Sequence, residues 1–235
     1  MNGMLKFVQE NIMHVGPILA AGALGIVLIL ERGLAIFFAY PLKNPRAFFD
    51  KVRNYILNER IGEAIALCEH YRGTPIANVV REGLLRAHQP ESVIVHGLEI
   101  AVGEQQDRIL ARIPYLAMIA NVATLLGLLG TILGLIQSFE AVGSASAQTR
   151  SALLAAGIST AMNATMFGLA VAIPCMVAFS FLTNRANRLS AETERAAVRV
   201  MELIKQRYFA AGEGAPGSGG HGHGRGNVKP MARHA

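Results

Sequence analysis

The sequence of 235 residues contains no tryptophan and only two cysteines, Cys68 and Cys175. One cysteine lies in a polar segment and the other lies inside an apolar run, so we expect no disulfide, no metal site and no bound cofactor. Charged residues are also scarce, at 16% of the chain against 52% hydrophobic residues. With so little charge, much of the apolar surface must be covered by lipid or by other helices.

Long stretches of the chain lack charged residues altogether. Residues 113–139 and 151–183 contain no Lys, Arg, Asp or Glu, and each exceeds the roughly 20 apolar residues that cross a bilayer. Residues 12–30 form a shorter apolar run that is just long enough to span, and its alanine patch lies too early for a cleaved signal peptide. The sequence therefore predicts an all-α integral membrane protein with three transmembrane helices.

The polar segments predict long helical extensions on the cytoplasmic side. Residues 41–112 carry ten Lys or Arg and nine Asp or Glu, with helical periodicity and no alternating strand pattern. From Pro90 this pattern runs directly into the second span, which predicts one long helix with a bend at Pro114. The predicted divisions are 1–40 (N-terminal segment and first span), 41–112 (helical domain), 113–140 (second span), 141–150 (link), 151–183 (third span), 184–209 (C-terminal helix) and 210–235 (disordered tail).

The net charge of +6 does not indicate nucleic-acid binding, because Lys and Arg flank the apolar runs. Residues 184–235 hold nine Lys or Arg, whereas one basic residue precedes the first run and one lies in the 140–150 link. The positive-inside rule places the N-terminus and the link outside and the other polar segments in the cytoplasm. Glu31 and Arg32 follow the first run, and we expect them to act as charges at the membrane interface.

Uncharged polar side chains recur on the second and third spans. On the second span they fall within about one third of the helix circumference, and Ser138 continues the same stripe. Two interpretations are open: the side chains line a shared, partly wet path, or their hydroxyls only bond back to their own backbone. The candidate path residues are Asn121, Thr124, Thr131, Thr160, Asn163 and Thr165.

Small residues follow the same two spans at helical spacing, and such faces let transmembrane helices approach closely. We expect leucine at Gly130, Gly134 or Gly168 to disrupt assembly. Pro174 is expected to loosen the third helix locally, which neighbouring helices can compensate. The candidate packing residues are Gly127, Gly130, Gly134, Gly157, Ala161, Gly168, Ala172 and Pro174.

The three runs contain no acidic or basic residue except His14, at the outer edge of the first. A proton or cation path through hydrocarbon usually needs such a group, so a second protein is expected to supply a carboxylate that the threonine hydroxyls surround. No nucleophile lies beside a base in these runs, so we expect no enzyme. His221 and His223 are interpreted as part of a solvated tail rather than as metal ligands.

Four motifs resemble those of a known family. GLLGTILGLIQSF (residues 127–139) resembles the second-span signature of the ExbB/TolQ branch of the MotA/TolQ/ExbB family, and GISTAMNATMFGLAVAIPCMVAF (157–179) resembles its third-span pattern. EAIALCEHYRGTPIANVV (63–80) resembles the cytoplasmic motif, and Glu31-Arg32 after the first run also fits. The resemblance covers roughly residues 10–209.

The resemblance implies a stator-like proton-channel subunit in the bacterial inner membrane. Members assemble as a homopentamer around an ExbD/TolR-like single-span partner whose helix carries an Asp, and together they convert the proton motive force into work at the cell envelope. Thr131 and Thr165 match the paired threonines that face this Asp. Three alternatives stay open: a gliding-motility motor subunit, a non-conducting membrane scaffold, and Na⁺ in place of H⁺.

Two positions depart from the family pattern. Thr160 stands where the family has a third-span Glu, and Val122-Ala123 replaces the Ala-Pro that often precedes the second-span signature. Losing that Glu removes one group that could relay protons. The resemblance therefore does not assign the chain to the nutrient-uptake or Tol-type subgroup.

Overall fold

The structure, a computed structural model, describes residues 12–42 and 44–213. The predictions for residues 1–11, the His14 side chain and the tail with His221 and His223 lie outside what it describes. All regular elements in the described ranges are helical. They are α1 (Ile12–Leu34), a π-helical segment (Ala35–Ala39), α2 (Pro45–Leu57), α3 (Ile61–His70), α4 (Pro75–Leu85), α5 (Glu91–Leu110), α6 (Pro114–Gly143) and α7 (Arg150–Glu213).

Three helical stretches are long and apolar enough to cross a membrane, and they cover Val15–Ala39, Glu91–Gly143 and Arg150–Tyr208. This finding confirms the all-α class and the three predicted spans. Helix α7 has 64 residues, which corresponds to about 96 Å at the usual helical rise. It continues through Pro174, so the third span and the predicted C-terminal helix are two parts of one element.

The predicted long helix from Pro90 through the second span is interrupted beside the predicted bend at Pro114. Helix α5 ends at Leu110, and α6 begins at Pro114 after three residues that are not helical. Proline lacks the N–H that would bond the carbonyl of Leu110, and its ring would clash with that carbonyl. Arg112 adopts a left-handed φ of 62° in the turn, and its guanidinium pairs with the Glu31 carboxylate of α1.

Helix α1 packs lengthwise against α6 and α7. A β-carbon added to Gly22 would lie 2.9 Å from a methyl carbon of Val171, and one added to Gly25 would lie 2.7 Å from the Cys175 sulfur. Farther along, Ile36 of the π-helical segment is fully buried against residues of α5, α6 and α7. The glycines therefore allow close contact between the first span and the α6–α7 pair.

Helices α2–α5 form an extramembrane domain on the C-terminal half of α7. The Tyr208 hydroxyl of α7 donates to the Ala87 carbonyl oxygen at 2.7 Å, which ties the end of α7 to the segment after α4. Since α7 belongs both to this domain and to the apolar region, it joins the two mechanically. The domain core includes Val52, Ile56, Val79, Val80, Leu84, Ile94 and Val200.

Cys68 of α3 lies in this core with 1% of its surface exposed. Burial raises the pKa of its thiol from 9.0 to about 12, although the Arg81 guanidinium acts in the opposite direction. Because the thiolate is the reactive form, iodoacetamide at pH 8 should label Cys68 at least about 100-fold more slowly in the folded protein than in the unfolded chain. Peptide mass spectrometry over time measures this ratio, and equal rates would contradict the burial.

The same shift makes the domain less stable in alkali. The unfolded thiol ionises above pH 9, whereas the folded thiol stays protonated up to about pH 12. The stability that the protonated thiol contributes is therefore complete below pH 9 and is lost as the pH rises from 9 towards 12.

Candidate functional site

Helices α6 and α7 run antiparallel and meet through small residues. A β-carbon added to Gly127 of α6 would lie 3.2 Å from the α-carbon of Gly168, and one added to Gly134 would lie 3.2 Å from the α-carbon of Ala161. At the end of the pair next to the 140–150 link, a β-carbon on Gly157 would lie 1.6 Å from the Ser138 hydroxyl oxygen. The backbones are thus in near contact along about four helical turns.

The other candidate packing residues lie partly in the contact between α6 and α7 and partly outside that contact. A β-carbon on Gly130 would lie 2.7 Å from the Ala164 β-carbon, and Ala172 is buried against α6 and α1. Pro174 is exposed and lies outside the contact between α6 and α7. The packing roles of these residues stay predictions, although all of them except Pro174 lie in this seam.

Thr165 forms the one side-chain hydrogen bond that crosses this seam within the described residues. Its hydroxyl donates to the Gly127 carbonyl oxygen at 3.2 Å. The absence of a side chain at Gly127 lets α7 come near enough for this bond. Thr165 therefore sits at the closest part of the contact between α6 and α7.

The remaining candidate hydroxyls bond within their own helices. Thr124 donates to the Ala120 carbonyl at 3.0 Å, Thr131 to the Leu128 carbonyl at 2.6 Å, and Thr160 to the Ala156 carbonyl at 3.1 Å. Such bonds satisfy the hydroxyl proton but leave the oxygen lone pairs free to accept. These side chains can consequently receive a hydrogen bond from water or from another protein.

Thr131 and Thr165 lie on the same side of the seam. Gly168 lies at the centre of the seam, three residues after Thr165 and three residues before Val171. The side chains of Thr165 and Val171 therefore point about 120° apart around α7. Helix α1 packs on Val171 and on Ile119, and Ile119 likewise lies about 120° from Thr131 on α6. Helix α1 therefore covers one flank of the seam, and no described helix covers the threonine flank.

The candidate path residues do not all share this flank. Thr124 and Asn121 follow Thr131 down the same side of α6, and both are exposed. Thr160 and Asn163 of α7, however, lie about 140° and 160° around the helix from Thr165. The structure thus brings together Thr124, Thr131 and Thr165 and separates them from Thr160 and Asn163.

The two interface charges have different surroundings. Glu31 is partly exposed and pairs with Arg112, whereas Arg32 is only 7% exposed. The Arg32 Nε has no hydrogen-bond partner within the described residues. Sequence reasoning predicted neither the partner of Glu31 nor the burial of Arg32, because both depend on how α1 meets the turn after α5.

This arrangement offers hydrogen-bonding groups without a charge. Residues 114–139 and 151–183 contain no Lys, Arg, His, Asp or Glu, and the described part of the chain holds no group of three or more His, Cys, Asp or Glu that could bind a metal. Hydroxyls can orient water or a carboxylate but cannot carry a proton through hydrocarbon as a charged intermediate. The site therefore requires an ionisable group from another molecule to conduct.

The chain is similar to proteins of one membrane-protein family. The sequence profile of the MotA/TolQ/ExbB proton channel family matches residues 72–195, just over half of the chain. The Tol-Pal system protein TolQ of Haemophilus influenzae is 33% identical over 43% of this chain and 45% of its own length. The biopolymer transport protein exbB1 of Vibrio cholerae is 25% identical over 83% of this chain and 85% of its own. An ExbB-like 3 protein of Synechocystis is 32% identical over 68% and 76%.

Proposed function

Because the chain belongs to the MotA/TolQ/ExbB proton channel family, we propose that it is the stator-like subunit of a proton channel in a bacterial inner membrane. It works with an ExbD/TolR-like single-span protein that carries a transmembrane Asp. Together they convert the proton motive force into mechanical work at the cell envelope. The match to TolQ covers less than half of that relative, so the partner, the ring of five copies and the work performed belong to this proposal.

The observation that carries the proposal is an uncovered flank rich in hydroxyls and free of ionisable groups. Thr131 and Thr165 lie there side by side, and both retain oxygen lone pairs. A partner Asp placed against this flank can accept from the threonines when ionised, if their hydroxyls rotate, and donate to them when protonated. Both protonation states thus find hydrogen bonds in a region where an unsatisfied carboxyl group is costly.

The other path candidates occupy supporting positions in this scheme. Asn121 and Thr124 extend the polar flank along α6 and would hold water between the cytoplasm and the partner carboxyl. Thr160 and Asn163 lie on the other side of α7, so they reach the same path only if a neighbouring copy in the ring brings them there. The N-terminus faces the periplasm and the extramembrane domain faces the cytoplasm, as the distribution of basic residues indicates.

A non-conducting scaffold is the competing function, and one observation favours it. Thr124, Thr131 and Thr160 all bond to carbonyls of their own helices, as threonines do when they serve no purpose beyond the helix itself. The glycine seam would then serve only to assemble the membrane complex. The two functions differ in whether ions cross the bilayer.

Ion flux in liposomes tests the proposal. The chain is reconstituted alone, with its single-span partner, and with a partner whose transmembrane Asp is changed to Asn, and an internal pH dye follows a pH jump. We expect flux only with the unaltered partner, because only that carboxyl can take up a proton. Flux from the chain alone would contradict the partner-supplied carboxyl, and no flux in any arm would favour the scaffold.

The same liposomes distinguish the conducted ion. A sodium gradient at constant pH should produce no flux when the carried ion is H⁺. Flux driven by sodium alone would replace the proton in this proposal with Na⁺ and leave the partner requirement in place.

A further inference from the structure

A cavity of about 490 Å³ lies in the extramembrane domain between the start of α2 and the C-terminal half of α7. Its walls combine charged side chains from both helices with the apolar side chains of Phe49 and Ile76. This volume falls within the usual range of small-molecule pockets in proteins. The cavity is remote from the threonine flank and has no role in the proposed function.

Three arginines line this cavity: Arg46 from α2, and Arg195 and Arg199 from α7. None of the three forms an ion pair within the described residues, and Arg199 lies over the Phe49 ring at 5.3 Å. Glu192 is the single acidic residue of the lining, so the cavity carries an excess of two positive charges. The cavity thus provides more guanidinium groups than carboxylates.

The placement of Arg195 and Arg199 is unfavourable for the helix on its own. They are four residues apart on α7, where like charges repel each other across one turn. Arg46 adds a third positive charge from a different helix. A bound anion removes this repulsion, and guanidinium groups match phosphate oxygens in bidentate geometry.

The first turn of α2 adds hydrogen-bond donors to the same wall. Asn44 precedes the helix but its side chain forms no capping hydrogen bond, and Arg46 and Ala47 both line the cavity. The free backbone N–H groups at a helix N-terminus, together with the helix dipole, favour a negative ligand. The arginines and the N-terminus of α2 therefore both favour a negatively charged ligand.

The position of the cavity along α7 favours a soluble ligand. The uncharged stretch of α7 ends at Thr183, and residues 192–199 follow it by about 13–24 Å along the helix. The headgroup layer of a bilayer extends only about 5–8 Å beyond the hydrocarbon on each side. The cavity consequently lies below the headgroups when α7 crosses near the membrane normal.

We propose that this cavity binds a soluble anion that carries a phosphate group, held by Arg46, Arg195 and Arg199 at the N-terminus of α2. The aromatic and aliphatic walls formed by Phe49 and Ile76 accommodate an organic part of the same molecule. The bound anion bridges α2 and α7, and α7 also carries Thr165. This inference is independent of the proposed channel function.

Calorimetric titration of the full-length protein with inorganic pyrophosphate tests the site. Pyrophosphate should bind the unaltered protein, with an affinity that falls as the salt concentration rises. The double variant Arg195→Gln/Arg199→Gln should bind at least about tenfold more weakly, because two charged hydrogen-bonding groups are removed. Arg46→Gln, on the other helix, should weaken binding as well.

The matched control is Arg53→Gln/Arg72→Gln, which removes the same charge from exposed arginines of the same domain outside the cavity. This control should bind pyrophosphate within about twofold of the unaltered protein, since non-specific attraction depends only on net charge. Thermal melting of every variant excludes unfolding as the cause of a loss. Equal weakening by the two double variants would overturn the site.

A lipid arm distinguishes the source of the phosphate. Native mass spectrometry compares protein released from nanodiscs of phosphatidylglycerol with protein from nanodiscs of phosphatidylcholine. We expect the two cavity arginines to make no difference to retained phosphatidylglycerol. Retention that is lost in Arg195→Gln/Arg199→Gln, with no binding of pyrophosphate, would assign the cavity to a lipid headgroup and overturn the soluble ligand.

Discussion

Replacing both Thr131 and Thr165 with valine is expected to lower proton flux through the complex with the single-span partner by about 10- to 100-fold. Valine has nearly the shape of threonine but neither donates nor accepts a hydrogen bond. The partner Asp would then meet an apolar surface in both protonation states, and its ionised form would lose the stabilisation that proton release requires. The flux assay in liposomes described above measures the effect.

The two threonines contribute differently to folding, which supplies the controls. Thr165 bonds across the seam to Gly127, so Thr165→Val alone should cost about 0.5–1 kcal/mol of stability. Thr131 bonds within its own helix, and Thr131→Val should leave the melting temperature unchanged. Thr165→Ser keeps a hydroxyl at this position, so this variant should conduct like the unaltered protein. Undiminished flux in the double valine variant would exclude the threonine path.

Gly168→Ala should destabilise the α6–α7 pair and break up the assembly. Its β-carbon would lie 2.7 Å from the Ala123 carbonyl oxygen and 3.0 Å from the Gly127 α-carbon. Both neighbours are backbone atoms, so no rotamer change relieves the clash and the helices must separate. Forcing an extra carbon into such a contact costs about 1–3 kcal/mol, and separation also stretches the Thr165–Gly127 hydrogen bond. Native mass spectrometry and thermal melting in detergent measure the loss.

Gly16→Ala is the matched control within the first span. A β-carbon at Gly16 meets nothing within 4 Å, and alanine favours helix over glycine by up to about 1 kcal/mol. This variant should therefore melt at the same temperature as the unaltered protein or slightly higher. If Gly168→Ala has the same melting temperature and the same assembly as Gly16→Ala, the contact between α6 and α7 is looser than its geometry indicates.

The sequence by itself determined the class of the protein and the chemistry of its spans. Hydrocarbon demands uncharged stretches of about 20 residues, so the absence of charge in 12–30, 113–139 and 151–183 sufficed to predict three spans. The small residues and threonines of the second and third spans were visible for the same reason, since helical periodicity fixes which side chains share a face. The family motifs lie in those same stretches.

Only the tertiary structure decided how these faces meet. Periodicity along one helix carries no information about which flank a third helix covers, so only the contact of α1 with Val171 and Ile119 showed that Thr131 and Thr165 lie on the uncovered flank. The pairing of Arg112 with Glu31 depended on how α1 meets the turn before Pro114. Arg46 is about 150 residues from Arg199 in sequence. The two line one cavity of the extramembrane domain because α2 packs on α7.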